Sequence, residues 1–272
     1  MTLDIAMTGI GQQHPVTAYE TELSKQLHVI AISSDFRTFV HEHGDHPGPD
    51  GHFQISMPLP APGLYHVYAD GAPSGLGQQV MRFELVAGDA PVQPQMNAPK
   101  PSGFEEADGQ YGVRFDPFEL HAGQESQLGL HLLRNGQPAS DVTPFLGVAA
   151  HTVLISATDL TYIHVHATPS TERDAGGAAV GMGLASSGNV LPDAAPASHQ
   201  HMTGTTPTAG TMDGVTAPGM KVTANVPLLD SSRVPSNLTL HILAPSAGTY
   251  LLWIQFMAGG QVRTVPFVVA VS

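Results

Sequence analysis

The sequence predicts an all-β chain built as two tandem antiparallel β-sandwich domains that arose by internal duplication. Three observations predict it. Gly (29) and Pro (23) are abundant while charged residues make up only 12% of the 272 positions, a composition suited to short strands and turns rather than long helices. The length exceeds one typical domain of about 100 to 150 residues. The segment "LHVIAISSDFRTFVHEH" (27–43) aligns without a gap on "AHTVLISATDLTYIHVH" (150–166), so that His28 falls on His151, His41 on His164 and His43 on His166.

Taken from the N-terminus, "MTLDIAMTG" reads as a strand, and "LHVIAIS" and "TFVHEH" read as a hairpin around "SDFR", from their β-branched and aromatic content and short length. If the turn is flanked by residues near 33 and 38, His28 stands opposite His43, with His41 two positions along on the same face, because strand side chains alternate with period two. Glu42 alternates to the other face. "PAPGLYHVYAD" begins with a Pro and Gly turn and continues as a core strand, and "GQQVMRFELV" closes a first domain assigned to residues 1–88. Residues 89–110, rich in Pro, Ala, Gly and acidic residues, read as a linker.

The second domain, 111–272, opens with two strands around an "AGQ" turn in "YGVRFDPFELHAGQESQLGLHLLRNGQ". It then repeats the hairpin and ends in "PSAGTYLLWIQF" and "GQVRTVPFVV", counterparts of the closing strands of the first domain. A segment of small residues at about 168–233 interrupts it and is expected to be a mobile loop, because such residues bury too little surface to offset the entropy of ordering. The first domain has one strand fewer at its start, so an upstream segment carrying that strand is expected, the alternative being that the first copy simply lacks it.

Histidine is the chemical signal. Residues 39–52, "FVHEHGDHPGPDGH", hold four histidines, and the chain has no cysteine. Zero cysteines exclude disulfides, iron–sulfur clusters, thiolate zinc sites and a blue-copper centre. Any metal must sit on His, Met or carboxylate. Convergent neutral imidazoles can each place a nitrogen about 2.0 Å from one ion, so His28, His41, His43 and His151, His164, His166 are the leading metal ligands. His46, His52 and His66 are further candidates near the first set, and His241 near the second. His199, His201, Met202, Met212 and Met220 in the interrupting loop are possible loop ligands, since thioether sulfur suits Cu(I). Because imidazole must be neutral to coordinate, affinity is expected to fall as pH drops through about 6.5.

Other functions are weighed by the same residues. A net charge of −13, from 10 Lys plus Arg against 23 Asp plus Glu, repels phosphate backbones and argues against nucleic acid. No run of 18 apolar residues exists to span a membrane as a helix, and the N-terminus shows no export signal. Three histidines on zinc with an open position would suit a hydrolase. No HExxH or GxSxG motif and no carboxylate placed by spacing as general base accompanies them, and Asp70, the best carboxylate, reads as a turn residue. A tandem Ig-like interaction or structural module without metal is the alternative.

The hairpins, together with "PAPGLYHVYAD" and "GTYLLWIQFMAGGQVRTVPFVV", resemble a little-characterised group of bacterial exported proteins with duplicated, Ig-like or cupredoxin-like β-sandwich domains, distantly CopC-like. In that group a hairpin ending in His-x-His-Pro precedes a strand like PGxYRLxxxF. Here Pro is absent directly after His43 and His166. The resemblance implies heavy-metal or copper handling in the periplasm or outside the cell. The residues and the resemblance together give a copper ion, with zinc as alternative, and a metal-transfer protein as a possible partner, and no residue is assigned a catalytic role.

Overall fold

The computed structural model describes residues 1–9, 12–21, 25–89, 99–170, 228 and 232–272. Among them are seventeen strands: β1 (Thr2–Ala6), β2 (Tyr19–Glu20), β3 (Leu27–Ser33), β4 (Phe39–Gly44), β5 (His52–Ser56), β6 (Gly63–Pro73), β7 (Gln79–Ala87), β8 (Glu105–Asp108), β9 (Tyr111–Phe115), β10 (Glu125–Arg134), β11 (Gln137–Pro138), β12 (Val142–Thr143), β13 (Ala150–Ser156), β14 (Tyr162–Pro169), β15 (Asn237–Leu243), β16 (Gly248–Ala258) and β17 (Gln261–Val271). All strand pairings are antiparallel. The fold is all-β.

In the first half of the chain, β7, β6, β3 and β4 lie side by side, β2 caps the end of β6, and β1 pairs with β5 as a separate two-stranded sheet. In the second half β17, β16, β13 and β14 repeat that order. There β14 runs on to pair with β15 through Thr168 and Pro169, and the sheet continues through β10 and β9 to β8. Ser102, just before β8, exchanges two hydrogen bonds with Val268 of β17, at 2.8 and 2.9 Å. The result is one sheet curled into a nearly closed, barrel-like shape. Among the described residues the two faces expected as separate sheets are joined, because β14 pairs with both β13 and β15. β8 also lies inside the segment expected to be a linker. It pairs with β9 from Glu105↔Arg114 to Asp108↔Tyr111, and 90–98 lie outside the described residues.

Strand alternation divides the apolar side chains into three groups. Leu27, Val29, Ala31, Tyr65, Val67 and Ala69 face Leu3, Ile5, Phe53 and Ile55 within the first half. Leu154, Tyr250, Leu252 and Ile254 face Leu128, Leu130, Leu238 and Leu240 within the second. The third group lies between the halves, where Ile30, Ile32, Phe36 and Tyr68 meet Val153, Ile155, Leu251 and Trp253. Phe39 stacks on Trp253 at 4.7 Å and Tyr68 on Tyr162 at 5.0 Å across this seam. β3 and β13 are therefore covered on both faces. This explains why "LHVIAIS" and "AHTVLIS" are almost continuously apolar instead of alternating.

The two hairpin turns close at corresponding positions, with Ser33 N–H donating to Thr38 O and Ser156 N–H to Thr161 O. Inside them the residue in the left-handed conformation is shifted by one position. Phe36 takes the left-handed conformation in the first (φ 61°) and Leu160 in the second (φ 60°). Both residues lie at the seam, where apolar packing offsets the cost of a non-glycine residue in that region.

Candidate metal centre

The same alternation that buries Ile30 and Val153 carries histidines to the seam one pleat further along. β3 pairs with β4 so that His28 faces His43 and Ile30 faces His41, and β13 pairs with β14 so that His151 faces His166 and Val153 faces His164. Because both sheets turn these faces toward each other, the two sets form one cluster. The His28 ring lies 4.9 Å from His164 and 5.9 Å from His151, and the His41 ring lies 5.9 Å from His151 and 5.6 Å from His164. His43 and His166 sit at the two ends, 4.3 Å from His41 and 4.7 Å from His164 respectively.

Within each hairpin the donors approach as an equivalent pair. His28 Nδ1 lies 3.2 Å from His41 Nε2, and His151 Nδ1 lies 3.3 Å from His164 Nε2. The outer nitrogen of each strand-β4 or strand-β14 ring is engaged from the opposite half. His41 Nδ1 meets Gln255 Oε1 at 2.7 Å, and His164 Nδ1 meets Asp70 Oδ2 at 3.3 Å. Gln255 and Asp70 hold the same place in the two halves: Asp70 is opposite His28 on β6, and Gln255 is opposite His151 on β16. The amide of Gln255 donates to Thr264 Oγ1 at 3.0 Å, which turns its oxygen toward His41. Asp70 accepts from Tyr162 Oη at 3.0 Å and from the Gln78 amide as well. Three donors around one carboxylate are the surroundings of an anion.

Burial favours the neutral form of five of these rings. It lowers His41 to about 4 despite the Gln255 acceptor, His43 to about 3 with neighbouring His41 adding to the effect, and His166 to about 4. His151 and His164 are held well below the ordinary histidine value, first by desolvation and then by the surrounding imidazoles. Neutral imidazole has one N–H and one lone pair, so each ring can be a ligand at pH 7. His43 Nε2 and His166 Nε2 are buried and make no hydrogen bond. Two groups, His28 with His41 and His164, and His151 with His164 and His166, bring one nitrogen from each ring within 4.8 Å of one another, close enough to hold a metal ion.

The remaining expected ligands lie elsewhere. His46 is exposed in the loop after β4. His52 lies on β5, where its Nδ1 is 2.8 Å from Asp4 on the two-stranded sheet remote from the seam. His241 lies on β15 and pairs with Glu125 at 3.3 Å on the exposed side. His66 does face the seam, but it is four residues from Asp70 along β6, about 13 Å at 3.3 Å per residue, and its nearest carboxylate is Glu84 at 3.7 Å. His199, His201, Met202, Met212 and Met220 fall outside the described residues.

Sequence reasoning missed the second layer of the cluster. Asp70, taken as a turn residue, is a strand residue and only 1% exposed. Gln255 and Tyr162 were not singled out. A signal existed: "YHVYAD" and "YLLWIQ" align from Tyr65 and Tyr250, and this places Asp70 and Gln255 at one position.

One family model, a domain of unknown function (DUF8832), matches residues 1–87, 105–189 and 198–272. The chain belongs to the DUF8832 family. The matched segments include all six clustered histidines, Asp70 and Gln255. No curated protein and no solved structure matches the chain.

Proposed function

We propose that this DUF8832 protein is a non-catalytic copper-binding protein, with zinc as the alternative ion, that buffers, delivers or confers resistance to copper outside the cytoplasm. The observation that carries metal binding is the contact between His151 and His164. His151 Nε2 is 3.1 Å from the Phe145 carbonyl, which can only accept, so the ring's proton belongs on Nε2 and its lone pair on Nδ1. His164 Nδ1 faces the Asp70 carboxylate, so its proton belongs there and its lone pair on Nε2. Two lone pairs then face each other at 3.3 Å. Such an arrangement calls for a cation between them. Two nitrogens bound to one tetrahedral ion at about 2.05 Å stand about 3.3 Å apart.

Copper ranks first because an all-imidazole donor set binds divalent first-row metals most tightly at Cu(II). The resemblance of the hairpins to those of exported metal-handling proteins supports the location. The duplicated β-sandwich origin is part of this reading, supported by the matching strand order β7-β6-β3-β4 and β17-β16-β13-β14. In this reading a metal-transfer protein receives the ion.

The test is calorimetric titration of the metal-stripped protein with Cu(II), Cu(I) and Zn(II), repeated on His151→Ala and His41→Ala. Tight Cu(II) binding that either substitution weakens is the expected result. Absence of tight binding by all three ions would leave the seam as a structural interface between two sheets.

A further inference from the structure

The two histidine triads share His164, and this has a chemical consequence. With Nδ1 turned to Asp70, His164 has one lone pair, on Nε2, and one lone pair binds one ion. The triads His28/His41/His164 and His151/His164/His166 therefore compete for the same donor atom. The second is complete within its own hairpin. The first needs a substitute once His164 is committed, and His43, with its ring 4.3 Å from His41 and 4.9 Å from His28 and a buried Nε2 that makes no hydrogen bond, is placed to supply it.

Each hairpin thus offers three imidazoles, and what differs is the acceptor behind the central ring. Behind His41 it is the neutral amide of Gln255, and behind His164 it is the carboxylate of Asp70. A carboxylate accepting from a ligand's outer N–H fixes the ring, increases its basicity and adds a negative charge beside the cation in a region shielded from water. An amide fixes the ring but adds no charge.

We propose that the protein holds a pair of metal ions of unequal affinity, and that Asp70, reaching over from the opposite half, is the positioning residue that makes the His151/His164/His166 seat fill first. The His28/His41/His43 seat fills second. The cations are first-row transition ions of the class that prefers imidazole. This inference rests on the metal-binding reading above and adds to it the stoichiometry, the order of filling and the residue that sets the order.

The experiment uses the full chain, metal-stripped, with Cu(II) alone as the probe, followed by competition calorimetry. The wild type takes one ion tightly and a second more weakly. Asp70→Asn lowers the tight step about 10- to 100-fold, the usual cost of losing an outer-shell partner, and brings the two steps together. Gln255→Glu raises the weak step by a similar factor, a gain that a merely destabilised protein does not show. In the double swap Asp70→Asn/Gln255→Glu the tight step becomes sensitive to His43→Gln instead of His166→Gln. Unchanged stepwise affinities in both single variants, a double swap that still depends on His166, or a wild type limited to one ion would each overturn the proposal. A wild type that binds no ion would overturn the metal reading beneath it as well. If Asp70→Asn does not fold, as judged by circular dichroism, Gln255→Glu decides alone: a stronger second step supports the proposal and an unchanged one ends it.

Discussion

Tyr162 donates its hydroxyl to Asp70 across the seam, at 3.0 Å, while its ring lies flat against Tyr68 of the same half as Asp70. Removing that hydroxyl leaves a buried carboxylate with one donor fewer and the stacking intact. Tyr162→Phe is expected to cost about 1–3 kcal/mol of stability, read from urea unfolding by circular dichroism. An unchanged midpoint would mean that Asp70 is satisfied without it.

The pH response of the metal-free protein follows from the buried rings. His41 and His166 at about 4 and His43 at about 3 remain neutral in the folded chain where the unfolded chain, near 6.5, takes up protons. Above about 6.5 both states are neutral and these groups do not affect the balance. As pH falls below it the unfolded state binds more protons, so stability falls by up to about 1.4 kcal/mol per pH unit for each such histidine, until the folded rings titrate, His41 and His166 at about 4 and His43 at about 3. Urea midpoints measured from pH 7.5 to 5 should hold steady and then drop steeply below 6.5.

Metal affinity of the folded protein should behave differently, and here burial overrides the expectation drawn from composition. The sequence predicted a loss of affinity through pH 6.5. With His41 and His166 lowered to about 4, protons do not compete for these lone pairs until well below pH 5. Cu(II) titrations at pH 7.5 and 5.5 should give affinities within about tenfold of each other, and bound metal should protect against the acid loss of stability. A decline centred at 6.5 would show that the ligands are ordinary, exposed histidines.

The single tryptophan provides an optical report. Trp253 lies two residues from Gln255 on β16 and stacks on Phe39, whose ring is 6.2 Å from His41. Cu(II) bound at the cluster should quench its fluorescence, and Zn(II), which has a filled d shell, should leave most of the emission. Equal effects of the two ions would place the copper far from the seam.

Substitutions of the outlying histidines serve as controls. His46→Ala, His52→Ala and His241→Ala act on rings away from the seam, His52 and His241 paired to surface carboxylates, and are expected to leave the urea midpoint and the Cu(II) affinity unchanged. A loss of binding in any of the three would move the site away from the seam.

Much of the fold was legible from local pattern. The hairpin register that sets His28 against His43 and His151 against His166 follows from a short turn and the period of two, both written in the chain. The joining of the two sets was not. It depends on which faces of two sheets meet, and "LHVIAIS" and "AHTVLIS" gave no polar face to mark the outside because both of their faces are covered. The same lack of contrast hid Asp70, whose type and position beside a Gly suggested a turn although β6 continues through it to Pro73. His52 and His241 were misleading for the opposite reason: nearness along the chain, or on an adjoining strand, says little once the strand turns its side chain to solvent.

The reciprocal holding of His41 by Gln255 and of His164 by Asp70 makes each half of the seam depend on the other. The first half of the chain on its own contains His28, His41, His43 and Asp70, yet the residue that orients His41 lies 214 positions further on, on β16. A nascent or truncated polypeptide can present imidazoles to a passing ion but cannot assemble the oriented, water-shielded arrangement. In the metal-binding reading, secure retention would therefore require both halves folded against each other.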